Sequence, residues 1–284
     1  MMRGVTALRP LLDRTMILPI SAFVICQNEE RVIERCLRSV DFCAEIIAVD
    51  SGSTDGTVAT IEALRDEGLP IRLLHEPWRG FGAQKQFALD QCTQDWCLSI
   101  DSDERVSRAL RERMPELLNQ PEVNGWKITR YDYLIGYGYV PPRAHERYHN
   151  RLFRRGTGRF NTTDLVHEGI RIDGEVRMAR PGGLLHFSPI SLHDQMQKEN
   201  KYSTLKAQMK LDRGQKARPW KMLFSPPVFF LRWYFRHGLW RCGWPGFIHA
   251  AKGGIYSFLT EAKRYQAEAA RRVAPEEPRE PDGY

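Results

Sequence analysis

Residues 45–57 read EIIAVDSGSTDGT, and this stretch decides the fold class. Its first residues are almost all apolar, which is typical of a buried strand. A polar turn follows at once, and Val58, Ile61 and Leu64 then recur at helical spacing. Gly68 suits the end of that helix, because glycine readily adopts the backbone conformation found there. The pattern therefore predicts a strand, a tight turn and a helix in succession.

The same alternation extends to both sides of this stretch. Strand patterns lie over residues 20–26, 45–49, 71–75 and 96–100. Helical patterns between and after them include residues 32–40, 58–64, 82–92 and 107–119. Strands that alternate with helices favour right-handed βαβ units and a parallel sheet, whose ligands bind at the carboxyl ends of the strands. The prediction is an α/β fold with a mostly parallel, Rossmann-like central sheet flanked by helices.

Composition divides the rest of the chain. Residues 123–190 hold short aromatic and β-branched runs, and we interpret them as mixed α+β structure that completes the same domain. A helix is predicted over 191–212, with Leu192, Met196, Leu205 and Met209 as its inward stripe. The predicted organisation is an N-terminal extension (1–19), an α/β domain (20–190), a helical basic-aromatic region (191–272) and a disordered tail (273–284).

Several classes of protein are excluded by composition. Apolar residues make up 42% of the chain and charged residues 27%, which is ordinary for a globular protein. No stretch of about 18 uninterrupted apolar residues exists, so a clean transmembrane helix is excluded. The six cysteines form no CxxC pair and no zinc-like cluster, which indicates a reduced cytoplasmic protein. Residues 1–15 lack the apolar core of a signal peptide, and Met16 is an alternative start.

Positive charge is concentrated near the C-terminus. Residues 198–272 carry 16 basic and four acidic side chains, a net charge of +12. Within 219–248, an apolar run too short and proline-broken to span a bilayer precedes Arg232, Arg236 and Arg241 among tryptophans. This mixture predicts docking to an anionic membrane surface. The alternative is a pair of amphipathic helices that cover the protein's own core, and both explanations are compatible on different helix faces.

A basic nucleic-acid-binding protein is a further, non-enzymatic explanation of that charge. It leaves the acidic clusters described next without a role, and the chain has no recognisable nucleic-acid-binding motif. We therefore expect no nucleic-acid partner.

Residues 98–104, LSIDSDE, form the sharpest candidate site. A buried strand ends here, and alternation directs Asp101 and Asp103 to the same side. Two carboxylates on one side suit Mg²⁺ or Mn²⁺ bridging a diphosphate. A helix cap or a solvated acidic turn is the alternative for an isolated Asp-x-Asp, but its place after the fourth strand favours the metal site.

Two further motifs lie at strand ends. In the turn that begins at Asp50, the carboxylate can accept a hydrogen bond from a base N–H or a ribose hydroxyl, and a well-capped helix start is the alternative. Residues 78–85, WRGFGAQK, are glycine-rich and include Lys85, whose charge can offset that of a diphosphate.

Taken in order, these motifs resemble those of the inverting glycosyltransferases of family 2, which have the GT-A fold. The matching segments, within about residues 20–190, are Gln27-Asn28-Glu29-Glu30, residues 50–57, residues 82–85 and Asp101-Ser102-Asp103. The chain looks most like bacterial glucosyltransferases of the lipopolysaccharide or lipooligosaccharide inner core. That narrower resemblance is carried by GFGAQKQ (80–86), RLFR (151–154), VHE (166–168) and LHF (185–187).

The resemblance implies roles for individual residues. The implied donor-nucleotide site comprises Gln27, Asn28, Glu29, Asp50, Ser51, Gly82, Lys85 and Asp101, with Asp50 on the uracil. The implied metal ligands are Asp101, Asp103 and His186, and the implied acceptor contacts are Arg151, Arg154 and His167. Lys85 stands where many members carry arginine, so it keeps the charge but lacks the two-pronged guanidinium.

Inverting transfer needs a carboxylate that takes the proton of the acceptor hydroxyl. Asp164 and Glu168 lie where the family places its acceptor-side acid. We favour Glu168, because it follows His167 and precedes the flexible Gly169. A surface carboxylate or an ion-pair partner is the alternative for each.

The resemblance implies an enzyme that uses Mg²⁺ or Mn²⁺ to move a hexose, glucose from UDP-glucose, onto a lipid-linked core oligosaccharide. Its expected place is the cytoplasmic face of the bacterial inner membrane, as a peripheral protein. The alternative acceptor is a polyprenyl phosphate or another cell-envelope polysaccharide.

Overall fold

The structure is a computed structural model that describes residues 16–140, 147–162, 169–187 and 191–272. These residues form two compact units, the first within Met1–Ile128 and His149–Leu184, the second within Thr129–Tyr148 and Leu185–Tyr284. A boundary near residue 190 was expected, whereas the grouping of 129–148 with the C-terminal helices was not. The predicted tail 273–284 and most of the predicted extension 1–19 lie outside the described residues.

The predicted strand–helix alternation is confirmed up to residue 118. The strands of this part are β1 (Leu18–Cys26), β2 (Cys43–Asp50), β3 (Ile71–His75), β4 (Trp96–Ser99) and β5 (Glu104–Val106). The helices are α1 (Ile33–Arg38), α2 (Thr57–Asp66), α3 (Phe81–Asp90) and α4 (Arg108–Leu118). The Ser107 side chain caps α4 by accepting the N–H of Leu110, which fixes where that helix begins.

The following segment differs from the mixed α+β expectation. The strands there are β6 (Gly125–Leu134), β7 (Gly138–Tyr139), β8 (Arg147–Arg154), β9 (Gly158–Phe160), β10 (Ile170–Ile172) and β11 (Val176–His186). No helix occurs among the described residues between 123 and 187. The many glycines of this segment favour turns between strands, which explains the all-β outcome.

The central sheet is mixed, with a parallel half. Its order is β3-β2-β1-β4-β8-β6-β11-β5, with β7 beside β6, and β9 and β10 form a separate pair. β1 pairs in parallel with β2 and β4, and β2 pairs in parallel with β3. β8 then joins β4 in the antiparallel direction. The carboxyl ends of β1 to β4 therefore meet at one edge, as the sequence predicted.

Alternation along the parallel strands fills both faces of the sheet. Ile20, Ala22 and Val24 belong to one buried cluster together with residues of α1, α2 and α4. Phe23 and the β2 residue Ile47 belong to another, together with residues of α3. Because successive side chains of a strand point to opposite faces, such runs are apolar throughout when helices cover both faces.

The second unit is largely helical. Its elements include α5 (Leu192–Asp212), α6 (Trp220–Leu231), a π-helical turn (Arg232–Arg236), a 3-10 turn (Leu239–Cys242) and α7 (Gly243–Arg272). Its apolar core comprises Leu134, Val140, Leu239, Cys242 and Ala250. Within the described ranges, no helix has an apolar stretch long enough to cross a membrane.

The predicted inward stripe of α5 is wrong at Leu192 and Leu205, which are exposed. The buried residues of this helix are Ser203 and Ala207. Small side chains allow α5 to lie close to α7, and Lys263 of α7 donates hydrogen bonds to the backbone and side-chain oxygens of α5 near Ser203.

Candidate active site

Asp50 lies at the carboxyl end of β2, buried, and is held by the turn that follows it. Its carboxylate accepts the N–H of Gly52 at 3.0 Å, the N–H of Ser53 at 3.1 Å and the Ser53 hydroxyl. His75, its neighbour in register on β3, places Nδ1 3.5 Å from it. Burial raises the pKa of Asp50, but these hydrogen bonds outweigh burial and lower it below its ordinary value. Asp50 is therefore an ionised acceptor at neutral pH.

The segment after β1 interlocks with this turn. The N–H of Asn28 donates to Ser53 Oγ at 2.9 Å, and Asn28 Oδ1 accepts the N–H of Thr54 at 2.8 Å. Asn28 has a φ of +57°, a region that asparagine tolerates better than most residues. The N–H of Glu29 donates to Thr57 Oγ1 at 2.8 Å. The structure thus brings two segments of the predicted donor site together.

Gln27, Ser51 and Gln84 form further hydrogen bonds beside the turn that begins at Asp50. Gln27 Nε2 donates to the Ser51 carbonyl oxygen at 3.1 Å. Gln84 is fully buried, and its Nε2 donates to Ser51 Oγ at 3.0 Å and to the Glu76 carbonyl oxygen at 2.9 Å. The sequence analysis gave Gln84 no role. The feature that could have indicated a role for Gln84 is its position one residue before Lys85, in the first turns of a helix that begins at the site.

Gly82, a predicted donor contact, is required by packing. A Cβ added to Gly82 would overlap the backbone carbonyl oxygen of Asn161. Position 82 therefore needs glycine because α3 lies directly against the backbone after β9. This requirement holds whether or not Gly82 also contacts the donor.

We expect Gly82→Ala to lower the free energy of unfolding by about 1–3 kcal/mol, as measured by urea denaturation. Alanine gains about 1 kcal/mol in helix propensity, but overlap with a rigid backbone atom costs more. Gly169→Ala is the matched control, because a Cβ there meets nothing within 4 Å. Equal stability of the two variants would contradict the packing explanation.

Asp101 is the centre of an ion-pair network after β4. Lys85 Nζ lies 2.8 Å from its Oδ1, and Arg151 Nη2 lies 2.6 Å from its Oδ2. The same Arg151 nitrogen donates to Glu104 Oε1 at 2.8 Å, and Glu104 Oε2 accepts the backbone N–H of Asp101 at 3.1 Å. Glu104 is fully buried. Two cations therefore face two carboxylates, and the network fixes both the side chain and the backbone of Asp101.

This network gives several residues contacts other than those expected. Burial raises the pKa of Asp101, but the charges of Arg151 and Lys85 dominate and hold it well below its ordinary value. Arg151, a predicted acceptor contact, is buried and bound to Asp101 and Glu104. The sequence analysis gave no role to Glu104, the last residue of the LSIDSDE stretch, and did not predict its burial.

Arg154, the other predicted acceptor arginine, is held by the protein itself. Its Nε and Nη2 donate to the carbonyl oxygens of Val123 and Gln120, each at 3.1 Å. Its guanidinium also lies over the Trp96 ring, 4.6 Å from the ring centre. These contacts tie β8 to the loop before β6, and the acceptor role of Arg154 stays a prediction.

Asp103 lies half-buried in the turn between β4 and β5. No group of three or more His, Cys, Asp and Glu side chains that could hold a metal ion is found in the described part of the chain. Among the predicted ligands, Asp101 has a cation on each carboxylate oxygen, and the metal role of Asp103 stays a prediction. Mg²⁺ commonly takes one or two carboxylates and completes its shell with substrate phosphates and water.

His186, the third predicted ligand, lies at the end of β11 in the second unit. Its Nδ1 lies 2.9 Å from Asp132 Oδ1, and Arg130 Nε lies 3.1 Å from the same oxygen. A histidine whose Nδ1–H is held by a carboxylate presents Nε2 as its acceptor nitrogen, an arrangement typical of metal ligands and of structural histidines alike. The metal role of His186 stays a prediction.

The remaining predicted site residues, Asp164, His167 and Glu168, lie outside the described residues. Their predicted roles as base and acceptor contact therefore stay predictions.

The comparison with known families agrees with this geometry. A family model described as glycosyl transferase family 2 matches residues 21–171, which include both acidic turns and the network around Asp101. The chain belongs to glycosyltransferase family 2. It is therefore a glycosyltransferase, and its α/β fold with a C-terminal helical region confirms the predicted GT-A-like fold class.

Individual relatives extend beyond the matched domain. The chain is 54% identical to the lipopolysaccharide core biosynthesis glycosyltransferase LpsC of Rhizobium meliloti, over 89% of this chain and 94% of that protein. It is 28% identical to an uncharacterized glycosyltransferase of Rickettsia felis, over 86% and 88%. Among solved structures, the mannosyltransferase PcManGT from Pyrobaculum calidifontis, in complex with GDP-Man and Mn²⁺, matches with a TM-score of 0.49 at 16% identity. That match covers 92% of this chain and 78% of the other.

Proposed function

We propose that this family 2 glycosyltransferase transfers a hexose, glucose from UDP-glucose, to a lipid-linked acceptor of the lipopolysaccharide core. The observation that carries the acceptor class is the 54% identity to LpsC over 94% of that protein. Identity of this extent includes the C-terminal helical region, which the family model does not cover. A polyprenyl phosphate or another envelope polysaccharide is the alternative acceptor.

The donor assignment rests on the two acidic turns. Asp50 is ionised and lies at the sheet edge where nucleotides bind in parallel sheets. Its carboxylate can therefore accept a hydrogen bond from the N–H of a uracil. Lys85 is held at Asp101 and supplies positive charge beside the place where the diphosphate would lie. The donor nucleotide therefore binds across the ends of β1, β2 and β4.

The residues present are compatible with a divalent cation. Asp103 would be the protein ligand, and the donor diphosphate would complete the site. When bound, Mg²⁺ or Mn²⁺ stabilises negative charge on the departing UDP. Lys85 and Arg151 fix Asp101, which positions the turn that carries Asp103.

The reaction inverts the anomeric centre in one displacement. The acceptor hydroxyl oxygen bonds to the anomeric carbon, the bond from that carbon to the UDP oxygen breaks, and a carboxylate takes the hydroxyl proton. Glu168 is the proposed base and Asp164 is the other candidate.

We expect Glu168→Gln to lower the turnover number about 10²- to 10⁴-fold, because the amide cannot take the proton. Binding of the UDP-sugar, measured by calorimetry, should persist, because the base contacts the acceptor. Asp164→Asn is the matched comparison. If it alone has this effect, the two assignments are exchanged.

The donor is tested directly by hydrolysis. The purified protein, with Mg²⁺ or Mn²⁺ and without acceptor, should hydrolyse UDP-glucose slowly and in preference to GDP- and dTDP-sugars. A preference for another nucleotide would overturn the donor assignment while leaving the family unchanged.

The expected location is the cytoplasmic face of the inner membrane, as a peripheral protein. A lipid-linked acceptor stays in the bilayer, so the enzyme must meet it there. Fractionation of cells should place the protein with inner membranes and release it at high salt, because charge contributes to the attachment.

A further inference from the structure

The α6–α7 part of the second unit exposes many large apolar side chains. On α6, Leu223, Phe224, Val228 and Leu231 are exposed at helical spacing, with Leu223 74% exposed. Beyond α6, Trp240 is half exposed and Trp244 is 77% exposed. These six residues define what we call the apolar hairpin surface. Apolar side chains clustered in this way mark an interaction surface rather than ordinary scatter.

The opposite side of α6 is occupied by α7. Phe230 packs against Phe247 with ring centres 5.3 Å apart, and a Cβ added to Gly253 of α7 would overlap the Phe229 ring. Phe229 also stacks on Trp233 at 5.5 Å. The two helices therefore cover each other through one set of aromatic residues. The α6 residues of the apolar hairpin surface are a separate set that α7 leaves exposed.

Charge indicates what covers this surface. Residues 213–260 contain eight Lys and Arg and no Asp or Glu. Arg232, Arg236 and Arg241 are exposed, and Arg241 lies over the Trp240 ring at 5.2 Å. Tryptophan rings beside cations are typical of the headgroup level of a membrane, where anionic lipids attract each basic residue.

We propose that the apolar hairpin surface inserts into the headgroup region of an anionic lipid bilayer, with α6 lying in the membrane plane. A spanning arrangement is inconsistent with the absence, in the described helices, of any sufficiently long apolar stretch. A second copy of this chain is disfavoured, because two such surfaces would bring like charges together.

This inference deepens the proposed function by naming the membrane surface at which a lipid-linked acceptor is met. Membrane binding needs neither donor nor acceptor, however, so it succeeds or fails independently of glycosyl transfer. Its test therefore uses vesicles that contain no acceptor, with UDP-sugar hydrolysis as a separate readout.

The experiment is flotation of the full chain with vesicles of phosphatidylglycerol and phosphatidylcholine, compared with phosphatidylcholine alone. We expect binding to the anionic vesicles and weak binding to the neutral ones. The double variant Leu223→Ser/Phe224→Ser should lower the partition coefficient about tenfold or more, because each apolar side chain contributes to insertion. Arg232→Glu/Arg236→Glu should lower it only for anionic vesicles. Ile17→Ser is the matched control, because Ile17 is exposed but lies in the first unit.

Each other outcome overturns the proposal. Equal binding by the wild type and Leu223→Ser/Phe224→Ser would place membrane contact elsewhere. Equal binding to both vesicle types would show that charge does not contribute to membrane binding. Absence of vesicle binding, or a dimer that Leu223→Ser/Phe224→Ser abolishes, would assign the surface to another protein or to a second copy. Unchanged urea midpoints and hydrolysis rates show that the variants fold, as expected for exposed positions.

Discussion

Asp103→Asn is expected to reduce turnover severely while leaving the fold intact. The amide is a poor ligand for a hard divalent cation, and the lost stabilisation of the departing UDP amounts to several kcal/mol. At about 1.4 kcal/mol per tenfold change, we expect the turnover number to fall about 10³-fold. The measurement is product formation at saturating donor, with and without Mg²⁺ or Mn²⁺.

The matched control for this prediction is Asp173→Asn, which removes one charge from an exposed turn of the same unit. It should retain wild-type activity. Chelation by EDTA should inactivate the wild type, and added Mg²⁺ or Mn²⁺ should restore it. Undiminished activity of Asp103→Asn, or of the wild type in EDTA, would refute metal-dependent catalysis through Asp103.

The strands and helices between residues 18 and 99 could be predicted from the sequence because local and tertiary signals agree there. Apolar runs such as IIAV at 46–49 are buried on both faces of the sheet, and each is bounded by turn residues that also begin the next helix. Such agreement fixes each strand to within a few residues. The site turns at Asp50 and Asp101 follow from it, since parallel strands end at one edge.

Other features depend on distant partners that local patterns do not contain. Arg151 contacts Glu104 and Asp101, which precede it by 47 and 50 positions in the sequence. The residues next to Arg151 in the sequence gave no indication of these contacts. The buried face of α5 was predicted wrongly because helical periodicity was judged from its large apolar residues. The residues that α5 buries are small, Ser203 and Ala207. Which face of α6 is covered and which is exposed could not be predicted from the sequence, because this depends on the position of α7.

Arg151→Met is expected to destabilise the protein by about 3–5 kcal/mol, because it removes the arginine that pairs with the buried Glu104. Arg171→Met is the matched control, since the Arg171 side chain is 89% exposed and its ion pair with Asp173 is long. Its effect should stay within about 0.5 kcal/mol. Urea denaturation at neutral pH measures both.

The double variant Arg151→Met/Glu104→Gln separates lost charge pairing from lost packing. If loss of the ion pair with Glu104 causes the destabilisation, the double variant should be more stable than Arg151→Met alone. Acid should also reduce the difference between the wild type and Arg151→Met. The pKa of Asp101 is lowered in the folded wild type, so its contribution is fully present above the ordinary value of 3.8 and is lost as pH falls through the lowered pKa. A difference that stays constant from neutral pH down to pH values well below 3.8, or a double variant no more stable than Arg151→Met, would show that Arg151 acts through its packing alone.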